Sequence, residues 1–186
     1  MNLGLKGTLE WGTIYIFRGK AATGKSALAN ILGKKKSILV LSKDDVLIAL
    51  KESMEISDRG ELNHACYNIL ESIIQRSLDL ETSLILDVGL GNRKYAKMFF
   101  DKLNFRNNNV VKIYTDCSDN EEWLRRHEER LKNPTLSQSF KSLNHVVEHY
   151  NKIDINPLED EYVIDTSGTI EQSYSFLEEM IKANIH

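Results

Sequence analysis

The chain has 186 residues, 41% hydrophobic and 27% charged, with a formal net charge of −3. That length predicts one core-bearing domain over 1–186, and the charge excludes a global basic field for nucleic acid, leaving at most a local groove. No run of eighteen apolar residues predicts a membrane span, Met1 to Glu10 lack the apolar core of a secretory signal, and two cysteines, Cys66 and Cys117, make no disulfide framework, so a cytoplasmic protein is expected.

Along the chain, short apolar runs alternate with longer amphipathic ones. Strands are expected at 12–18, 37–42, 83–88, 109–115 and 161–165. Helices are expected at 24–34, 44–54, 58–80, 91–104, 118–132, 138–152 and 169–184. Alternation of this kind, with β-branched residues on both faces as in Val110-Val111-Lys112-Ile113-Tyr114, predicts an α/β chain with a parallel sheet covered on both sides. Ligands in such sheets sit beyond the carboxyl ends of the strands. The residues after each strand therefore carry the functional reading.

After the first strand comes Gly19-Lys20-Ala21-Ala22-Thr23-Gly24-Lys25-Ser26, which fits G-x-x-x-x-G-K-[ST], the phosphate-binding Walker A loop. Ala27 continues it into a helix. Glycines let successive N–H groups converge on one concavity at the positive end of that helix. A triphosphate fits there, with Lys25 neutralising β/γ-phosphate oxygens and Ser26 offering a hydroxyl to Mg²⁺.

After the second strand come Ser42-Lys43-Asp44-Asp45. Two adjacent carboxylates exceed what capping a helix needs, so one can cap while the other faces the cleft as a base for an attacking hydroxyl; Asp45 is either that first-turn cap or a substrate-binding group. The third strand, Leu84-Ile85-Leu86, ends on Asp87, as a Walker B strand does, which suits Mg²⁺ held directly or through water. Gly89 and Gly91 follow. Arg93 is either an anchor for an anionic substrate group or a solvated first-turn arginine. After the fourth strand, Arg126 and Arg130 lie four apart on one helix face. They precede Lys132-Asn133-Pro134-Thr135-Leu136-Ser137-Gln138, a helix-breaking stretch that reads as a flap. Two arginines at its base would stabilise a transferring phosphoryl group. After the fifth strand, Asp165-Thr166-Ser167-Gly168 either lines a nucleotide base or caps the last helix.

The order and spacing of these motifs, from Gly12 to about Met180, resemble the P-loop kinases of the nucleoside-monophosphate-kinase type. Within that group they are most similar to the small ATP-dependent kinases that include the polynucleotide 5′-kinase domain, chloramphenicol phosphotransferase and zeta-toxin-like kinases. The resemblance implies a three-layer fold: a five-stranded parallel sheet in order 2-3-1-4-5, with helices on both faces and a helical lid over about 126–142. It points to Asp44 as the base, and it matches Arg126 and Arg130 to the paired lid arginines. Polynucleotide kinases carry a substrate-binding arginine where this chain has Leu47, and the Asp-x-Asn pattern after their third strand is Asp87-Val88-Gly89 here. The first of these departures speaks against a polynucleotide acceptor.

The expected activity is transfer of the γ-phosphoryl group of ATP, with Mg²⁺, to a hydroxyl or phosphate of a small molecule. The competing readings are a 5′-end polynucleotide kinase and a regulatory ATPase without acceptor. For the former, Lys34-Lys35-Lys36 offers a basic patch, although complementation of the helix dipole explains it more simply. His145-Val146-Val147-Glu148-His149 also matches the H-x-x-E-H zinc pattern. No third ligand is placed for it, and two histidines on an ordinary amphipathic helix are the favoured account.

Overall fold

The computed structural model describes residues 12–54, 58–105 and 108–183. The N-terminal stretch and position 184, the expected end of the last helix, lie outside them. In chain order the elements are β1 (Thr13–Gly19), α1 (Lys25–Lys36), β2 (Val40–Ser42), α2 (Lys43–Ser53), α3 (Arg59–Asp79), β3 (Leu84–Asp87), α4 (Arg93–Phe100), β4 (Asn109–Asp116), α5 (Asn120–Lys132), α6 (Leu143–Tyr150), β5 (Tyr162–Asp165) and α7 (Ile170–Ala183). The five strands form one parallel sheet in the order β2-β3-β1-β4-β5, as the resemblance implied.

β1 is the central strand, and all seven of its residues are buried. Its side chains alternate between two cores, as the twofold period of a strand requires. Ile14 and Ile16 pack with Leu47 of α2, with Leu62, Leu70 and Ile74 of α3, and with Phe99 and Phe100 of α4. Tyr15 and Phe17 pack with Leu28 and Leu32 of α1 and with Leu177 and Ile181 of α7. Burying each of these large apolar side chains contributes about 1.5–3 kcal/mol before entropy is counted. Along α3 the buried positions Leu62, Cys66, Leu70, Ile74 and Leu78 recur every four residues, a single stripe on a 21-residue helix. Cys66 and Cys117 are both buried and free. No described helix is long and apolar enough to cross a membrane.

Three elements are much shorter than expected; α4 covers only Arg93–Phe100 of the expected 91–104, its start set by Asn92, whose side chain accepts from the Lys94 N–H at 2.9 Å. Pairing in the second strand begins only at Val40, because Ser37 closes α1 in the left-handed region (φ 55) and turns the chain first. α6 starts at Leu143 because the Ser142 hydroxyl caps it, accepting from the His145 N–H at 3.2 Å. The carboxyl ends of β1, β3 and β4 thus open side by side onto one edge, where 19–26, 87–92 and 116–119 emerge.

Candidate active site

The loop between β1 and α1 is fixed by its own backbone and by β4. Gly19 has φ 142, and a Cβ there would lie 2.2 Å from the Thr115 carbonyl oxygen, so glycine alone fits against β4. The Thr23 hydroxyl donates to the Lys20 carbonyl at 2.9 Å and lies 2.8 Å from the Thr115 hydroxyl. Lys25 Nζ donates to the Lys20 carbonyl at 2.5 Å. Burial pulls the Lys25 ammonium down to about 8; Asp87 opposes this, Arg130 adds to it, and Asp44 opposes it. The Lys20 side chain turns away instead, with Nζ 3.0 Å from Asp116 and 4.5 Å from the centre of the Trp123 ring.

Above this loop lies a cleft of about 1110 Å³ whose walls include Lys25, Ser26, Asp44, Asp45, Asp87 and Arg130. Asp87 is buried, which raises its carboxyl; Lys25 and a hydrogen bond from the Ser26 hydroxyl counter that rise. A hydroxyl beside a buried carboxylate is a hard-oxygen donor pair of the kind that suits Mg²⁺. Neither Asp44 nor Asp45 is the side-chain cap of α2. Ser42 does that work, its hydroxyl accepting from the Asp44 N–H at 3.2 Å. Both aspartates are exposed to the cleft, and Asp44 acts electrostatically on both Lys25 and Asp87.

The paired arginines of α5 part company. Arg126 donates to the Thr166 hydroxyl (3.1 Å) and carbonyl (2.5 Å) and to Glu122 (2.8 Å). It borders a separate recess of about 450 Å³ with Ala22, Gly24, Ala27, Thr166 and Gly168. Arg130 borders both the recess and the cleft. Thr166 also ties the β5–α7 turn to the loop by donating to the Thr23 carbonyl at 3.1 Å. The cap of α7 is Thr169, which accepts from the Gln172 N–H at 3.2 Å. The turn at 165–168 is thereby left at the recess.

Arg93 is not brought to the cleft. Its guanidinium donates to the Pro157 carbonyl and the Glu159 carboxylate, while the neighbouring Asn92 and Tyr95 do border the cleft. Leu47 is fully buried in the core, consistent with the departure noted in the sequence. Lys34, Lys35 and Lys36 end α1 away from the cleft, with Lys35 3.8 Å from Glu178 and 4.1 Å from the centre of the Tyr174 ring. His145 and His149 both face the Phe140 ring, their centroids 5.4 and 5.3 Å from it.

Several residues at the cleft carried no signal in the sequence. The Tyr150 hydroxyl, at the end of α6, accepts from the Ala21 N–H at 2.7 Å, and Trp123 Nε1 donates to the Ala21 carbonyl at 2.9 Å. Both backbone polar groups of Ala21 in the phosphate loop are thus held by α5 and α6. Arg59 and Lys51, at the start of α3 and late in α2, donate to Ser137, Ser139 and Leu136, bringing the 133–142 stretch over the cleft. These pairings join residues 78 to 129 positions apart, so no local pattern announces them.

No curated protein matches the chain in sequence. Solved structures do match in fold. A protein of Chloroflexus aurantiacus j-10-fl named as a kinase aligns with TM-score 0.70 at 18% identity, over 92% of this chain and 96% of its own. The APS kinase of Mycobacterium tuberculosis, in complex with AMPPNP and APS, aligns with TM-score 0.63 at 13% identity, over 92% and 98%. The Pnkp1/Rnl/Hen1 RNA repair complex aligns with TM-score 0.58 at 15% identity, over 81% of this chain and 49% of that one. At such identities the likeness is one of fold, the fold of small P-loop kinases. In sequence, the family model AAA_33, an AAA domain, matches residues 14–150, from β1 through α6, and the chain belongs to that family.

Proposed function

We propose that the chain is an ATP-dependent kinase that transfers the γ-phosphoryl group to a hydroxyl or phosphate of a small molecule. The observation that carries this reading is the convergence of Lys25, Ser26, Asp44, Asp87 and Arg130 on one cleft at the carboxyl edge of the sheet. A switch protein that only hydrolyses nucleotide has no need of a second wall. Here α2, α3 and the 89–92 turn supply one, with Asp45, Asn63, His64, Tyr67 and Asn92 lining the cleft.

In this reading the loop N–H groups and Lys25 hold the phosphates, and the recess beside Thr166 and Arg126 takes the base. Ser26 and Asp87 would hold Mg²⁺, which supplies charge neutralisation on the β- and γ-oxygens. Asp44 accepts the proton of an acceptor hydroxyl as its oxygen attacks the γ-phosphorus, and Arg130 faces the charge on the transferring group. Residues 126–142 form the lid. Lys51 and Arg59 draw it down, which keeps water from the reacting phosphoryl group.

The test is a screen of hydroxylated metabolites and nucleosides for ADP release, with the phosphorylated product detected directly. Lys25→Ala removes transfer while the protein stays folded. Asp44→Asn lowers transfer about 100-fold or more, the usual contribution of a positioned base, and leaves ATP affinity within a few-fold. Greater damage from Asp45→Asn would move the base to Asp45. Steady ATP hydrolysis with no acceptor-dependent product would replace the kinase reading with a regulatory ATPase.

A further inference from the structure

Tyr150 closes α6, and its hydroxyl accepts from the Ala21 N–H of the phosphate loop at 2.7 Å. That bond uses a lone pair and leaves the phenol's own proton, since a tyrosine hydroxyl both accepts and donates. Among the described residues no group accepts that proton. The side chain is part-buried and borders the cleft, as do Ala21, Lys25 and Arg130. Its ring is held by Trp123, Phe140 and His149, whose centroids lie 5.5, 5.7 and 5.0 Å from its own. Gly91, in the turn after β3, packs on it as well: a Cβ there would already touch Tyr150 Cε1 at 3.5 Å. The hydroxyl thus stands where the phosphate loop, the 89–92 turn and the lid side of the cleft meet.

The surroundings narrow what the spare proton can serve. Burial raises the phenol above its ordinary value, and Ala21 and Arg130 counter only part of that rise. Tyr150 is therefore an uncharged donor at neutral pH. The N–H bond it accepts polarises its O–H and strengthens it as a donor. Arg130, whose charge reaches the phenol, disfavours a cationic ligand there and suits an anionic one. In a phosphate loop the backbone amides beside the helix cradle the α- and β-phosphates, and the lysine reaches the β and γ. Ala21 lies four residues before Lys25, with its amide turned to the phenol. Tyr150 therefore carries the polarity of that amide one step further into the cleft, on the side of Arg130.

We propose that Tyr150 is a γ-phosphate-binding residue, donating its phenol proton to a γ-phosphoryl oxygen while it still accepts from Ala21. This deepens the kinase reading and rests on its nucleotide site. It adds a neutral donor to Lys25 and Arg130, and it accounts for a tyrosine where phenylalanine would fill the same aromatic packing.

The test measures binding of Mg²⁺–AMPPNP and Mg²⁺–ADP, by calorimetry, to the wild-type protein and to Tyr150→Phe. Phenylalanine keeps the ring and removes only the hydroxyl; ADP lacks the γ-phosphoryl group that AMPPNP carries. Tyr150→Phe is expected to weaken AMPPNP roughly ten- to a hundredfold, as loss of one hydrogen bond to a charged group does, with ADP unchanged. If both nucleotides weaken equally, the hydroxyl only braces the loop and the assignment is overturned. Wild-type AMPPNP affinity in the variant overturns it too. The Tyr150 ¹³Cζ resonance of wild-type protein labelled in tyrosine decides the matter if the variant fails to fold. It should move with AMPPNP and not with ADP, and the same position in both complexes overturns the assignment. Each of these failures leaves the kinase reading standing, whereas a wild-type protein that binds neither nucleotide overturns both.

Discussion

Burial gives Lys25 a pH signature of its own. Its ammonium, lowered to about 8 in the free protein, gains an anionic neighbour when phosphates bind, so its bound value lies higher. Below pH 8 the free and bound forms are both protonated and affinity is flat. Above pH 8 the free protein must first take up a proton. ATP affinity should then fall by up to about tenfold per pH unit until the bound-state value is passed. Calorimetry from pH 7 to 10 measures this, and in Lys25→Arg, whose charge persists throughout, the slope should vanish. The individual site residues were unevenly legible. Gly19, Gly24, Lys25 and Ser26 are defined by a spacing along the chain, and Asp87 by the end of an apolar strand. Arg93 has a similar local setting, yet its guanidinium is taken by Pro157 and Glu159, 64 and 66 residues away.

The elements were read closely because each announces itself by a local period and a cap. What holds them together was less visible, and Arg18 is the clearest case. It sits inside β1 with no exposed surface. Its guanidinium makes a two-pronged pair with Glu161, donates to the Leu90 carbonyl at 2.8 Å and lies 4.7 Å from the centre of the Tyr114 ring. One side chain thereby fastens β1 to the loop after β3 and to the stretch leading into β5. A buried pair is costly to break singly, because the surviving charge keeps its burial and loses its partner. Glu161→Ala should destabilise the fold by about 3–5 kcal/mol, read as a drop of roughly 10 °C in the thermal midpoint. An unchanged midpoint would mean that water or backbone groups satisfy Arg18 without Glu161.

For the whole molecule, ligand binding and stability should be linked through the segments that grip the phosphate loop at the sheet edge. The loop is gripped by Thr115 of β4, by Thr166 after β5 and by Trp123 and Tyr150 of α5 and α6. Nucleotide that bridges them stabilises the folded state by mass action, about 2.7 kcal/mol at a hundred times the dissociation constant. Scanning calorimetry should show Mg²⁺–ATP raising the midpoint by roughly 5–10 °C for a chain of this size, with no rise in Lys25→Ala. A rise that survives Lys25→Ala would place the nucleotide elsewhere.

The amino-acid sequence by itself determined the alternation of strands and helices, the phosphate loop, the carboxylates that follow β2 and the one that closes β3, because each depends on neighbours within a few residues. Only the tertiary structure decided which of these groups meet. It divided Arg126 from Arg130, withdrew Arg93 and brought Trp123 and Tyr150 onto the loop. The physical reason is that side-chain partnership follows from packing across the sheet edge, between residues 40 to 129 positions apart, and packing distance leaves no trace in local spacing.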